Sequence, residues 1–249
     1  MKKIFILSIL LLLVHKESYS ACDAQTVLML HLDGTDASTT FTDSSTAAHT
    51  VSGVGNAQLD TAQLKFGTAS YLGDGTGDSL TSADDADWDF GTGEFTIDFW
   101  VRFAALGGDN NFFSRNANAG NIQWKYDNGT TQLKAYWGGG FVRTETWSPS
   151  INTWYHIAIE RYSGSVYVYV DGTQLGTAAA NSTDLTFTDA IYIAAIEDAS
   201  QSINGWIDEY RVSKGIGRYS GTNFTPPSSA YCGGANSHVK GSMMKFFGE

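Results

Sequence analysis

In Glu94-Phe95-Thr96-Ile97-Asp98-Phe99-Trp100-Val101-Arg102-Phe103, every odd-numbered residue is apolar and most even-numbered residues are polar. A period of two is typical of a β-strand that turns one face toward a core. Residues 154–162 follow the same rule, because Tyr155, Ile157 and Ile159 fall on one face. Both segments therefore predict strands rather than helices.

Strand chemistry recurs along the chain, and no stretch sustains a helical period. Asn128-Gly129 and Asp171-Gly172 separate neighbouring strand segments, and such pairs suit the tight turns of antiparallel hairpins. No gap has room for the helical crossovers that parallel strands need. The sequence predicts an all-β fold of two antiparallel sheets packed face to face. The other predicted strands are Val27–Leu32, Ile122–Tyr126, Gln132–Trp137, Val166–Val170, Ile191–Ile196 and Ile203–Val212.

The composition restricts the class of partner. The chain has 249 residues, which suits one large β-sandwich, and its formal charge is −11. An acidic protein is repelled by the phosphates of nucleic acid and by anionic membrane surfaces. We therefore expect no nucleic-acid partner.

The first twenty residues have the pattern of a signal peptide. Lys2 and Lys3 precede an apolar run at residues 4–14, and small residues lie before Ala21. The run is too short to cross a bilayer as a helix, and no later segment is apolar enough to span a membrane. We expect residues 1–20 to be removed, residues 21–232 to form one domain, and residues 233–249 to be a flexible C-terminal tail.

The two cysteines bracket nearly the whole expected mature chain. In an oxidising compartment, Cys22 and Cys232 are expected to form one disulfide that joins the terminal strands. A lipid anchor on Cys22 is the alternative, although Tyr19 departs from the aliphatic residue that usually precedes such an anchor. Localisation is therefore expected to be secreted, periplasmic or at the cell surface, with lipoprotein anchoring as the second possibility.

Five blocks of the sequence, in this order and spacing, resemble the laminin-G-like jelly roll of the concanavalin A-like lectin/glucanase superfamily. The resemblance extends from about Val27 to Pro227, nearly the whole expected mature chain, and implies a two-sheet antiparallel jelly-roll sandwich. The blocks are residues 72–80 (Leu-Gly-Asp-Gly-Thr-Gly-Asp-Ser-Leu), 93–101, 152–158, 168–172 and 205–212.

The resemblance does not extend to the carboxylates of the glucan-cleaving relatives, which carry Glu-x-Asp-x-Glu on one strand. Glu94 and Asp98 are four residues apart with Thr96 between them, and Asp208 and Glu209 are adjacent, so they are expected to point to opposite faces. His156 is interpreted as a packed, hydrogen-bonded sheet residue rather than a base. The sequence therefore predicts no enzyme.

The resemblance also implies one structural calcium ion, held between an early turn, a glycine-rich loop and the last long strand. Calcium takes several hard oxygen ligands, and carboxylates in turns supply them. Ordinary turn formation by Asp-Gly pairs is the alternative. The matching residues are Asp33, Asp74, Gly75, Asp78 and Asp208.

Aromatic residues between 121 and 150 are the candidates for ligand binding, because such rings stack on sugars or anchor protein partners. Trp137 precedes three glycines, so we expect its ring to be accessible. The sequence predicts a secreted, non-catalytic module that recognises a glycan or a surface glycoconjugate; a structural decoration domain of a virion appendage or adhesin is the alternative, and a polysaccharide-cleaving enzyme is a third. The candidate rings are Trp124, Tyr126, Tyr136, Trp137 and Trp147.

Overall fold

The computed structural model describes residues 22–115 and 122–233, so the signal-peptide segment and residues 234–249 of the predicted tail lie outside the described residues. Within these two ranges strands dominate, and two short 3-10 turns occupy Ala86–Trp88 and Tyr231–Gly233. The strands are β1 (Thr26–Leu30), β2 (Phe41–Thr42), β3 (Thr50–Val54), β4 (Gln58–Asp60), β5 (Ser70–Asp74), β6 (Ser79–Ser82), β7 (Phe95–Phe103), β8 (Asp109–Arg115), β9 (Ile122–Asp127), β10 (Gln132–Trp137), β11 (Gly140–Thr146), β12 (Trp154–Tyr162), β13 (Ser165–Val170), β14 (Thr173–Gln174), β15 (Ala179–Ala180), β16 (Ile191–Ile193) and β17 (Asn204–Lys214).

Two antiparallel sheets pack face to face. One has nine strands, in the order β14-β13-β12-β7-β17-β5-β4, with β1 beside β17 and β15 beside β13. The other has eight strands, in the order β11-β10-β9-β8-β16-β6-β3-β2. The odd-numbered residues of β7, from Phe95 to Phe103, enter the core between them. The predicted all-β jelly-roll sandwich is therefore confirmed.

Both predicted hairpins form. Strands β9 and β10 pair across Asn128-Gly129, and β13 pairs with β14 across Asp171-Gly172. Two strands end before the predicted limit because the backbone turns left-handed, at Leu32 (φ 59°) after β1 and at Ala194 (φ 70°) after β16. Nine of the seventeen described strands were not predicted: β2, β3, β4, β5, β6, β8, β11, β14 and β15. Of these, β3, β8 and β11 lack a clear alternation of apolar and polar residues.

The outer face of the nine-stranded sheet is covered. The alternation in β7 predicts one buried face, but Thr96, Asp98 and Trp100 on the other face are also buried. Residues 218–232, which we call the C-terminal segment, and loop 65–68 lie over them. We call this outer surface the covered face.

The ends of the described domain are joined covalently. Cys22 and Cys232 form the predicted disulfide, with a sequence separation of 210. Tyr231, next to Cys232, packs with Cys22 and Met29 in a small second cluster. Among the described residues, no helix has the length and apolar character needed to cross a bilayer.

Candidate functional site

The covered face is organised around a buried ion pair. Arg211 donates two hydrogen bonds to the Asp98 carboxylate, at 2.9 and 2.6 Å. The hydroxyls of Tyr219 and Tyr231, both from the C-terminal segment, donate to the same carboxylate. Burial opposes ionisation of Asp98, but the charge of Arg211 outweighs it and lowers the pKa of Asp98. The ion pair therefore ties the C-terminal segment to the sheet.

His156 belongs to the same cluster. Its Nε2 lies 2.6 Å from the hydroxyl of Tyr231, and its side chain is fully buried. Burial lowers the pKa of His156 to about 4, so the imidazole is neutral at neutral pH. His156 is the packed, hydrogen-bonded sheet residue that the sequence predicts.

A bulge in β17 changes the expected orientation of Glu209. The register with β7 shifts between Asp208 and Arg211, and Glu209 takes a left-handed φ of 52°. Its carboxylate accepts a hydrogen bond from the backbone N–H of Tyr231 at 2.6 Å. Tyr231 belongs to the C-terminal segment and lies over the covered face, so the Glu209 carboxylate that it bonds points to that face as well. The prediction that Glu209 and Asp208 point to opposite faces is therefore wrong, because the bulge changes the alternation of the strand.

Two of the five predicted calcium ligands come together beside loop 65–68. Asp208 Oδ2 accepts hydrogen bonds from the backbone N–H groups of Lys65 and Phe66, at 2.7 and 3.0 Å. Asp33 accepts one from the backbone N–H of Thr68. The second oxygen of Asp208, Oδ1, is buried without a hydrogen-bond partner, and burial raises the pKa of Asp208 well above its usual range.

An unsatisfied buried carboxylate oxygen near a second carboxylate suits a hard cation such as Ca²⁺. Asp33 and Asp208 therefore fit the predicted ion, which would clamp loop 65–68 to β17. Calcium at these two residues stays a prediction.

The other predicted ligands lie elsewhere. Asp74 pairs with Asn204, four residues before Asp208 on β17, which is about 13 Å along the strand. The Asp78 oxygens accept hydrogen bonds from the N–H groups of Asn56 at 2.8 Å and Asp74 at 2.9 Å. The prediction of one site that includes Asp74, Gly75 and Asp78 is wrong, because their turn is separate and is closed by its own hydrogen bonds.

Three of the five predicted ligand-binding rings are core residues. Trp124, Tyr126 and Trp137 are 1%, 1% and 3% exposed and lie in the main hydrophobic cluster. They occupy the inner face of β9 and β10, where alternate residues point toward the opposite sheet. The expected accessibility of Trp137 is therefore wrong. Trp147 is partly buried against the same core, edge-on to Tyr126 at 5.4 Å.

The remaining predicted ring, Tyr136, lies on the outer face of the eight-stranded sheet. It is half-buried, and its ring centroid is 5.2 Å from that of Phe141 on the neighbouring strand β11. Phe141 is 59% exposed, more than any other large apolar side chain in the described residues. The two rings form an accessible aromatic pair.

Polar side chains surround this pair on the same face. Lys134 Nζ lies 5.5 Å from the Phe141 ring and donates to Asp127 at 2.5 Å. On the next strands, Lys125 donates to Asp109 at 2.6 Å. The hydrogen bond from Lys134 lowers the pKa of Asp127 to about 2. We call this surface the exposed face, and its members are Gln123, Lys125, Asp127, Gln132, Lys134, Tyr136 and Phe141.

A depression of about 430 Å³ lies at one end of the exposed face. Gln201 lines it and accepts a hydrogen bond from Gln123 at 2.7 Å, so the depression and the face are continuous. Gly75, from the predicted calcium loop, lies here instead of at Asp208. The other lining residues are Gly107, Gly108, Asp109 and Ser202.

The fold and these surfaces can be compared with known proteins. The Laminin_G_3 family model, described as concanavalin A-like lectin/glucanases superfamily, matches residues 74–216, more than half of the chain. The chain belongs to this family. A comparison with curated proteins finds no match.

Several solved structures share the fold of this laminin-G-like domain. The binding domain of Paraclostridial mosquitocidal protein 1 aligns with a TM-score of 0.61 at 16% identity, over 79% of this chain and 50% of that one, so this chain spans half its length. A second structure is domain 4 of AbnA, a GH43 extracellular arabinanase from Geobacillus stearothermophilus, in complex with arabinotriose. It aligns with a TM-score of 0.58 at 18% identity, over 79% of this chain and 95% of that one. A structure from work on botulinum neurotoxin type C, a toxin whose cell entry depends on interaction with two ganglioside molecules, aligns with a TM-score of 0.55 at 14% identity. The alignment covers 78% of this chain and 49% of that one.

The carboxylates of this laminin-G-like domain that most resemble a hydrolase pair are engaged in structural bonds. Glu94 accepts hydrogen bonds from the N–H groups of Ser163 at 3.1 Å and Gly217 at 3.2 Å. Asp98 is held by Arg211 beneath the C-terminal segment. Because Asp98 is fully buried and Glu94 is only partly buried, the two carboxylates do not form one accessible pair between which a glycosidic bond and a water could lie.

The polar residues of the exposed face were not among the predicted sites, although the sequence contained a signal for them. In residues 122–127 and 132–137, apolar and polar side chains alternate. Because the apolar set lines the core, Gln123, Lys125 and Lys134 must lie on the other face. Phe141 falls among the aromatic residues between 121 and 150, but its outward orientation has no such signal, since β11 does not alternate.

Proposed function

We propose that this laminin-G-like domain is an exported, non-catalytic module that binds a neutral glycan on the exposed face. The observation that carries the proposal is the accessible pair of Tyr136 and Phe141, set among amide and lysine–aspartate groups on a rigid sheet. An aromatic ring can pack on the apolar face of a sugar ring, and polar groups fixed by a sheet can bond its hydroxyls.

The charges of the exposed face favour a neutral ligand over a sialylated or sulfated one. Lys125 and Lys134 are each paired with an aspartate, so neither is a free positive charge. The formal charge of the chain, −11, also repels an anionic glycan. A lysine–aspartate pair offers one donor and one acceptor side by side, which matches two neighbouring hydroxyls of a neutral sugar.

The comparisons support a binding role in general terms. Domain 4 of AbnA is in complex with arabinotriose, and the toxin structures are binding domains. Export is supported by the signal-peptide pattern and by the disulfide, since disulfides persist in oxidising compartments.

The test is a titration of the mature protein, measured by NMR and by calorimetry. The ligands are neutral oligosaccharides, including arabinan and β-glucan fragments, and ganglioside headgroups. We expect micromolar to millimolar binding of a neutral glycan, with shifted amide signals in β9, β10 and β11. Gln123→Ala should weaken binding, because the amide that links the face to the depression is removed.

Ile151→Ala is the matched control, because Ile151 is 49% exposed but lies outside the exposed face. Binding restricted to sialylated headgroups would overturn the neutral class, and shifts confined to the covered face would overturn the surface. Release of reducing ends from a bound polysaccharide would overturn the non-catalytic assignment.

A further inference from the structure

Three potential metal ligands meet at a place that neither the exposed face nor the predicted calcium residues include. His49 immediately precedes β3, and Asp85 and Asp87 lie at the 3-10 turn Ala86–Trp88. Each supplies one ligand atom, and these atoms all lie within 4.8 Å of one another. His49 Nε2 is 3.0 Å from Asp87 Oδ2.

Packing fixes the histidine. The backbone N–H of His49 donates to Asp43 Oδ2 at 2.8 Å, and Asp43 is itself buried. The imidazole packs on the ring of Trp88, with centroids 4.6 Å apart. Trp88 is fully buried and donates from Nε1 to the carbonyl of Ala83 at 2.9 Å. The imidazole is therefore held in one orientation on a rigid support.

The loop of residues 84–89, which we call the acidic loop, is also held in place. Its four carboxylates, Asp84, Asp85, Asp87 and Asp89, fall into two pairs. Arg115 bonds Asp84 and Asp89, which anchors both ends of the loop to β8. Asp85 and Asp87 are the pair left to face His49. Asp85 Oδ1 accepts the backbone N–H of Asp87 at 2.9 Å, which fixes the spacing of these two side chains.

We propose that His49, Asp85 and Asp87 bind one divalent first-row transition metal ion, of which Zn²⁺ is the best example. One imidazole nitrogen and two carboxylates form a mixed nitrogen and oxygen set that suits Zn²⁺ better than Ca²⁺, which prefers oxygen ligands alone. Two ligands of a tetrahedral zinc ion at about 2 Å stand about 3.3 Å apart, close to the observed separation of His49 and Asp87.

The two carboxylates balance the charge of the ion, and the exposure of Asp85 leaves room for water as a further ligand. Lys214 also reaches this turn, where its Nζ donates to the carbonyl of Ala86 at 2.6 Å. The ion would join the start of β3 to the turn that precedes β7. This site does not depend on glycan binding.

The test is a calorimetric titration of chelator-treated mature protein with Zn²⁺, together with Co²⁺ absorption spectroscopy. We expect one equivalent of Zn²⁺ at micromolar affinity and a tetrahedral Co²⁺ spectrum. Asp85→Asn should weaken binding at least tenfold while the fold is kept, because asparagine caps the turn as well as aspartate does. His49→Gln should have the same effect.

Asp84→Asn and His238→Gln are the matched controls and should bind as the wild type does. Asp84 is in the same loop but forms an ion pair with Arg115, and His238 lies outside the described residues. The proposal is overturned by an absence of zinc binding at millimolar concentration, by wild-type affinity in Asp85→Asn and His49→Gln, or by loss of binding in His238→Gln.

Discussion

The two sheets share one core, but their outer faces differ. On the nine-stranded sheet, outward residues such as Asp98 and His156 are buried beneath the C-terminal segment and loop 65–68. On the eight-stranded sheet, Gln123, Lys134 and Phe141 meet solvent in the described structure. The covered face therefore contributes to stability, whereas the exposed face is open to solvent and carries the proposed glycan site. The difference predicts that substitutions on one face change folding, whereas those on the other change binding.

The disulfide gives the largest expected effect on the covered face. Joining residues 210 apart stabilises the fold by up to about 5 kcal/mol in the loop-entropy model, and measured values for such bonds are about 2 to 5 kcal/mol. The double variant Cys22→Ser/Cys232→Ser should lose this free energy of unfolding in urea titration. Its amide exchange should rise first in β17 and β12. Faster exchange in β9 and β10 instead would contradict the role assigned to the C-terminal segment.

Neighbouring residues of β10 separate the core from the exposed face. Trp137→Ala should lower the free energy of unfolding by about 3 to 5 kcal/mol, because a buried indole is replaced by a cavity. Tyr136→Ala, one residue away on the outer side, should cost less than half of that. Chemical denaturation of both variants measures the difference. Equal costs would mean that the two sides of β10 are not distinguished as described.

The inner faces could be predicted from the sequence, since the alternation in residues 94–103 and 132–137 places the core side chains correctly. At Trp137 two sequence signals conflict: the three following glycines favour an accessible ring, the period of two favours a buried one, and the ring is buried. The pattern Leu133, Ala135, Trp137 already indicated burial. Turn chemistry at Asn128-Gly129 and Asp171-Gly172 and the position of the two cysteines were sufficient for the hairpins and the disulfide.

The outer faces could not be predicted in the same way. Asp98 is covered by Tyr219 and Tyr231, which are 121 and 133 residues away along the chain, and no local pattern announces that contact. The bulge at Glu209 likewise depends on how β17 pairs with β7. The residues that the family resemblance groups are divided in the structure: Asp33 and Asp208 both bond loop 65–68, whereas Asp74 lies about 13 Å along the strand from Asp208.

His156 gives the covered face a pH dependence. Its pKa is about 4 in the folded protein and near 6.5 when exposed, so the folded state binds fewer protons between these values. The free energy of unfolding should therefore fall as the pH drops from 6.5 to 4, by roughly 3 kcal/mol in all. His156→Gln removes the titrating group.

The measurement is the difference in unfolding free energy between wild type and His156→Gln at pH 7 and pH 4. This difference cancels the contributions of Asp208 and Glu209, whose pKa values are raised by burial and which act in the opposite direction. A difference that does not change with pH would contradict the burial of His156.

The effect of calcium on stability tests whether an ion is bound at the edge of the covered face, beneath loop 65–68. If Asp33 and Asp208 hold the ion, calcium at a hundredfold excess over Kd should stabilise the fold by about 2.7 kcal/mol, and chelation should lower the Tm. Asp208→Asn should abolish the difference between the two conditions. Asp74→Asn should keep it, because Asp74 belongs to the separate turn. An unchanged Tm of the wild type on chelation means that no structural ion is bound.

Phe141 gives the smallest change in stability and tests the exposed face directly. Its ring is 59% exposed, so Phe141→Ala should change the free energy of unfolding by no more than about 0.5 kcal/mol. A glycan stacked on that ring should lose about 1 kcal/mol, roughly a fivefold increase in Kd by calorimetry. Ile151→Ala, equally apolar but outside the exposed face, should leave Kd unchanged. If Phe141→Ala and Ile151→Ala weaken binding equally, the ligand contacts another surface, and the exposed face is not the binding surface.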